Sequence, residues 1–240
     1  MKNLLTYLSP DEEFNDEHKQ LAKIQIDNSL SLGWKPEDIM MVTNFKYKHN
    51  GVEAMVIEND YCDFLPPTTK IYAIVRLFKM GLIKKDEMYW YHDFDCYQFS
   101  PITEKELGLE QSDMGLSSYG RSERLCSASM FFKKEAEDIF VLLKERVVKR
   151  RKDEEVTLMR LINTNMGTLG ERVKLLNTTY AFHKFNISTC YPTVLKPIRA
   201  AHFHLTPDKY NFYVKGYNKI KTAFVPKRLV KIFHKHGFTK

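Results

Sequence analysis

Asp93 and Asp95 stand two residues apart at the end of an aromatic run, residues 88–95 reading MYWYHDFD. In an extended chain, side chains at i and i+2 leave the same face, so the two carboxylates can converge on one point. Paired hard oxygens at the carboxyl end of a strand suit a divalent cation that must also hold a diphosphate. Aspartate is also common after strands because its side chain caps turns. The weight of the pair therefore depends on what else the chain carries. Tyr7 and Ser9 end a short apolar run near the amino end, and doubly wound domains expose ligand contacts at such strand ends. Tyr7 is equally suited to a core. Asp153, Glu154 and Glu155 are acidic residues at a helix start, where they suit proton transfer but also simply cap and stabilise a helix.

The elements that must position these residues alternate. Residues 4–8 read as a first buried strand, stopped by Ser9 and Pro10. A helix follows over 16–32, with Ala22, Ile26 and Leu30 on one face and Gly33 as its stop. Strands are expected at 39–43 and 52–57. From Thr68, the spacing of Ile71, Ile74, Val75, Phe78 and Leu82 predicts an amphipathic helix. Residues 88–92 are bulky on both faces, as in a central strand covered on both sides. A loop-rich segment is expected up to residue 124. Then come a strand at 125–132, a helix through Ala136, Ile139, Phe140, Leu143 and Val147, and a helix carrying Leu158, Leu161 and Ile162. Strand-like pieces at 173–176 and 200–204 close the chain. This is an α/β alternation with a mixed central sheet flanked by helices.

At 240 residues, one α/β domain is the simpler reading. A hydrophobic content of 43% with 28% charged residues excludes a disordered chain. The net charge of +7 implies anionic partners: nucleic acid, nucleotide phosphates or an acidic membrane. No apolar run approaches a membrane-spanning length, and residues 1–10 are too soon broken to be a signal peptide, so a soluble, cytoplasmic protein is expected. Cys62, Cys96, Cys126 and Cys190 form no Cys-x-x-Cys pair, which argues against a disulfide framework and a cysteine zinc site. No Gly-rich phosphate loop is present.

The order of these parts resembles the GT-A glycosyltransferases, the nucleotide-sugar-dependent class with a Rossmann-like domain and an Asp-x-Asp motif. The likeness runs over most of the chain. Residues 72–79 (YAIVRLFK) with 88–95 are similar to the family's arginine-bearing helix before its Asp-x-Asp strand. Residues 125–132 (LCSASMFF) resemble the strand beneath the donor sugar, with Ser127-Ala128-Ser129 in place of a family Asn-Ala-Gly. Residues 153–162 look like the acidic helix start facing donor and acceptor. Residues 201–209 (AHFHLTPDK) are similar to a late His-Phe motif followed by lysine, although the usual Lys-Pro-Trp ending is here Lys209-Tyr210-Asn211.

The resemblance implies one GT-A-like domain over 1–240, with a nucleotide-binding part at about 1–95 and an acceptor and metal-completing part at about 96–240. Asp93, Asp95 and His202 would then hold Mn²⁺ or Mg²⁺, with His204 the rival to His202. One imidazole among oxygen ligands tilts the preference toward Mn²⁺. Arg76, Lys209, Tyr7, Ser9 and Asp93 would bind the donor, with Lys70 an alternative to Arg76. Asp153 or Glu154 would take a proton from the acceptor or position it. The implied activity is a hexosyltransferase moving sugar from a UDP-sugar, such as UDP-glucose or UDP-rhamnose, to a hydroxyl of a glycan or glycoconjugate.

Two other readings are a sugar-phosphate nucleotidyltransferase, which usually carries a Gly-rich basic loop missing here, and a basic nucleic-acid-binding module. No nucleic-acid-binding motif is recognisable, so no specific nucleic acid is expected. In the tail, Leu229, Ile232 and Phe233 make an apolar stripe beside lysines, a pattern that allows peripheral membrane contact.

Overall fold

The computed structural model describes residues 1–119, 125–164, 169–183, 191, 194–203 and 225–237. In chain order the elements begin with β1 (Lys2–Tyr7), α1 (Asp16–Ser31), β2 (Ile39–Thr43), β3 (Lys48–His49), β4 (Val52–Glu53), β5 (Met55–Val56) and α2 (Thr69–Lys79). Then come β6 (Tyr89–His92), β7 (Cys96–Gln98), α3 (Glu104–Leu107), β8 (Met114–Ser118), β9 (Leu125–Phe132), α4 (Glu137–Arg150) and α5 (Glu154–Thr164). β10 (Val173–Leu176), β11 (Phe182–His183), β12 (Ala200–His202) and a helix named here α6 (Lys227–Lys235) complete them.

Seven strands form a mixed sheet in the order β10-β8-β9-β6-β1-β2-β5. β1 runs parallel to β2 and β6, while β9 is antiparallel to both β6 and β8. Strand alternation divides the core between two faces. Leu5 and Met41 pack with Leu21, Ala22, Ile24 and Ile26 of α1 and with Leu229 and Phe233 of α6. Their neighbours Leu4 and Val42 pack on the other side with α2, α4 and α5. Each buried Leu, Ile or Phe contributes about 1.5–3 kcal/mol. The apolar stripe of the tail is core: Leu229, Ile232 and Phe233 are all buried, so this stripe is not the surface for the peripheral membrane contact that the sequence allows. No helix among the described residues is long and apolar enough to cross a membrane.

The alternation and most boundaries match the expected elements. The strand expected at 52–57 is divided, with β4 pairing to β3 and β5 to β2. The segment expected to be loop contains β8, a strand of the main sheet. Its Gly115 is closely packed: a Cβ there would lie 2.9 Å from Leu176 Cδ1 and 3.0 Å from Leu109 Cδ1, so those two side-chain ends would have to shift. A second, three-stranded sheet, β11-β12-β7, sits beyond the end of β6 and sets His202 opposite Cys96.

Arg172, just before the edge strand β10, ties that edge of the main sheet to α4. It donates to Asp113 at 2.6 Å, to both oxygens of Asp138 at 2.7 Å and to the Glu135 carbonyl at 2.7 Å. Those bonds hold the Asp138 carboxyl below its ordinary value of 3.8. Because the folded value is depressed, this contribution is present above the ordinary value and is lost as pH falls through the folded one. Arg172→Met should lower the thermal midpoint at neutral pH by roughly 2–4 °C. Thermal scans should show the gap to the parent closing below about pH 4; a gap unchanged in acid would remove the assignment.

Candidate active site

The chain turns sharply after β6, and this turn carries the two aspartates. It is pinned from three sides. The Asp93 amide donates to the Ala128 carbonyl at 3.0 Å, and the Cys96 amide to the Asp93 carbonyl at 2.9 Å. Gln25 of α1, fully buried, donates to the carbonyls of Phe94 at 2.7 Å and Cys96 at 3.2 Å. Beneath the turn, His92 Nε2 meets Asn3 Oδ1 at 2.9 Å, and the Trp90 ring stacks on His92 at 4.2 Å. Burial lowers His92 to about 4, so it is neutral in its role as a spacer.

One oxygen or nitrogen from each of Asp93, Asp95 and His202 can be chosen so that all lie within 4.8 Å of one another. His202 Nε2 is 3.3 Å from Asp95 Oδ1, and its other nitrogen lies 3.7 Å from Cys126 Sγ. The antiparallel pairing of β12 with β7 delivers this imidazole, while Phe203, pointing the other way, is buried in the core. Burial pulls the His202 imidazole down, but the Asp95 carboxylate outweighs it and holds the proton well above the ordinary histidine range. Two carboxylates and one imidazole fit an Mn²⁺ or Mg²⁺ ion.

Lys70, at the start of α2, is the second cation of the site. Its ammonium lies 2.9 Å from Asp93 Oδ2 and 3.1 Å from Glu154 Oε1, with only 7% of the side chain exposed. Burial alone would drive it neutral. The charges of Asp93 and Glu154 outweigh that and keep it protonated well above its ordinary range. Asp93 also accepts from the Tyr91 hydroxyl at 2.5 Å. Glu154 accepts from Thr68 at 2.7 Å and Ser127 at 2.8 Å. Burial would raise its carboxyl, yet Lys70 and these bonds lower it below the ordinary value. The neighbouring Glu155 accepts from the Tyr119 hydroxyl at 2.5 Å and the Ser127 amide at 3.0 Å.

A cleft of about 550 Å³ opens beside Asp93, Asp95 and Lys70. Its wall includes Tyr7, Ser9, Asn15, Glu17, His18, Tyr61, Lys70, Tyr91, Asp93 and Asp95. Tyr7 is half-buried, with its ring 4.7 Å from those of both Phe14 and His18 and stacked at 6.0 Å on Phe94. Ser9 is held by Asn44, which accepts from its amide at 3.0 Å and donates to its carbonyl at 2.7 Å.

The structure thus brings Tyr7, Ser9, Asp93 and Asp95 together in the cleft wall and sets His202 against the two aspartates. It places Arg76 elsewhere: one helical turn and a half beyond Lys70, it pairs with Glu58 and does not line the cleft. Asp153 is a helix cap whose Oδ1 accepts from the Val156 amide at 2.7 Å. Glu154 is turned toward Lys70 and is not part of the cleft wall. His204 and Lys209 lie outside the described residues. The sequence reading missed Asn15, Glu17 and His18. Their signal was the Asn-Asp-Glu-His start of α1, where Asn15 Oδ1 caps the His18 amide at 2.8 Å and sets the first turn at the cleft.

No family model matches the chain, and no curated protein matches it either. Solved structures do. LgtC, a galactosyltransferase in complex with donor and acceptor sugar analogues, superposes with a TM-score of 0.60 at 11% identity, covering 98% of this chain and 96% of its own. A glycosyltransferase involved in glycosylating the major capsid of PBCV-1 gives 0.57 at 10% identity, over 86% and 94%. GlyE of Streptococcus pneumoniae TIGR4 gives 0.60 at 9% identity, over 96% of this chain and 60% of its own. The fold is that of the GT-A glycosyltransferases. Within this fold the acidic pair follows the strand β6, and the second sheet supplies the histidine.

The buried Lys70 cluster makes a ranking of variants. Lys70→Met leaves two carboxylates without their cation and should cost about 3–5 kcal/mol in urea unfolding. Glu154→Gln keeps hydrogen bonds and leaves Lys70 with Asp93, so it should cost only about 1–3 kcal/mol. The reverse order would show that Lys70 is not the centre of the cluster.

Proposed function

We propose that the chain is a metal-dependent glycosyltransferase that takes sugar from a nucleoside-diphosphate donor, UDP-linked, and transfers it to a hydroxyl of a glycan or glycoconjugate. The observation that carries this reading is the convergence of Asp93, Asp95 and His202, with both aspartates lining a cleft, within the GT-A fold. A cleft of about 550 Å³ is in the size range of small-molecule and cofactor sites. The structural likeness to an enzyme held with donor and acceptor sugar analogues supports the substrate class.

In this reading Asp93, Asp95 and His202 hold Mn²⁺ or Mg²⁺. When bound, the ion offsets the negative charge that builds on the departing diphosphate. Lys70 fixes the Asp93 carboxylate and presents a permanent positive charge beside it, a part the sequence reading gave first to Arg76. Lys209 is proposed as a further diphosphate contact on the strength of the sequence motif alone. Tyr7 and Ser9 lie at the end of β1 and line the cleft, where the nucleoside would enter. Glu154, ionised, accepting two hydrogen bonds and paired with Lys70, positions that lysine and gains little by taking a proton; Asp153 keeps the helix start.

The binding test is a thermal-shift screen with nucleoside diphosphates. UDP should raise the midpoint only when Mn²⁺ is present, because mass action stabilises the state that binds. In turnover assays with UDP-glucose and UDP-rhamnose, Asp95→Asn should lower transfer and donor hydrolysis by at least about 100-fold, and chelator should do the same to the parent. Donor hydrolysis indifferent to both, or synthesis of a nucleotide sugar from UTP and sugar phosphate, would overturn the reading.

A further inference from the structure

A second group of metal-binding side chains stands apart from the cleft, where α6 packs on α1. Asp27 lies within α1, His49 ends β3 and His236 follows α6. The Asp27 carboxylate meets both imidazoles at once, His49 Nε2 at 2.9 Å from Oδ1 and His236 Nε2 at 2.9 Å from Oδ2. One ligand atom from each of the three can be chosen so that all lie within 4.8 Å of one another. The side chains are 6%, 17% and 10% exposed respectively, so the group is sheltered but reachable. None of the three lines the cleft.

Two imidazoles and one carboxylate are the ligand set of an open tetrahedral site, with nitrogen and oxygen at about 2.0–2.2 Å from Zn²⁺. Ligand atoms in such a site lie roughly 3.3 Å apart. The two Asp27 contacts, at 2.9 Å, are a few tenths of an ångström shorter than this, and the chosen atoms of all three residues lie within 4.8 Å. The nitrogen-rich set disfavours Mg²⁺ and Ca²⁺, which take oxygen. It therefore differs in kind from the two-carboxylate set of the cleft.

Two other donors also reach Asp27, Asn50 Nδ2 to Oδ1 at 2.5 Å and Lys235 Nζ to Oδ2 at 2.5 Å. Lys235 is 59% exposed, so it can leave the carboxylate for water without stranding a buried charge. A metal ion and the Lys235 ammonium are thus alternative partners of one carboxylate. The Tyr47 hydroxyl, near enough to feel the Asp27 charge, is buried with no hydrogen-bond partner and is the kind of neighbour a solvent ligand in a fourth position would use.

We propose that Asp27, His49 and His236 bind a Zn²⁺-class divalent cation, separately from the cleft, and that this ion clips α6 to α1 and to the β3–β4 hairpin. The inference does not rest on the glycosyl-transfer reading. Its ligands are drawn from positions 22 and 209 residues apart in sequence, so the ion would join distant parts of the chain.

The test uses the full chain carrying Asp95→Asn, which weakens the cleft ligand set, and Co²⁺ as the probe. One equivalent should bind with the visible absorption of a four-coordinate nitrogen-oxygen site, and Zn²⁺ should displace it. His49→Gln and His236→Gln should each weaken binding by at least about tenfold. Lys235→Ala should tighten it, because a competing cation is gone, whereas an ion-pair network with no metal role would leave affinity unchanged. Zn²⁺ should also raise the thermal midpoint of the Asp95→Asn chain but not of the same chain carrying His49→Gln. If His236→Gln loosens α6, His49→Gln, on a surface hairpin, decides the matter, with far-UV circular dichroism checking the fold of both. Parent-like Co²⁺ binding by the two histidine variants, or no binding by the parent, overturns the proposal.

Discussion

The candidate site depends on one buried cation. An ammonium removed from water costs several kcal/mol unless it is surrounded by opposite charge, and Lys70 meets that condition with Asp93 on one side and Glu154 on the other. The requirement is mutual. Glu154 is itself almost fully buried and could not remain ionised without Lys70, Thr68 and Ser127. One charge therefore joins the start of α2, the end of β6 and the start of α5. Asp93 is held in place before any ligand arrives, with Tyr91 fixing one oxygen and Lys70 reaching both.

The second constraint is topological. The main sheet ends where Asp93 begins, and the remaining metal-binding candidate comes from a different sheet that pairs antiparallel to the chain just beyond Asp95. Register decides which face of β12 looks at the aspartates, so His202 reaches Asp95 while Phe203 enters the core. The Asp-x-Asp pair is local in sequence, but its imidazole partner is a product of strand pairing over about a hundred residues.

That difference explains what could be read in the chain. Periodicity identified β1, α1, β2, α2, β6, β9, α4, α5 and β10, because each buries one face or both against the sheet. It missed β8, where glycine and serine mask a strand that its two neighbours impose, with Leu176 and Leu109 packed closely over Gly115. It saw Asp93, Asp95 and His202 as candidates but ranked Arg76 above Lys70. A helix seen as a pattern does not reveal which cation lies toward the acidic turn; only the buried partners do. The grouping of Asp27, His49 and His236 left no trace in sequence, since three isolated residues acquire meaning only through packing.

The position of α6 has a further consequence for how the molecule is made. Its Leu229 and Phe233 cover α1, and Arg228 reaches back to Asn28 and to the carbonyls of Gln98 and Phe99. During synthesis, residues 225–237 leave the ribosome after every strand of the main sheet has emerged. For that interval one oily flank of the first helix lacks its cover, so the nascent chain presents a sticky surface that chaperones would shield until α6 arrives.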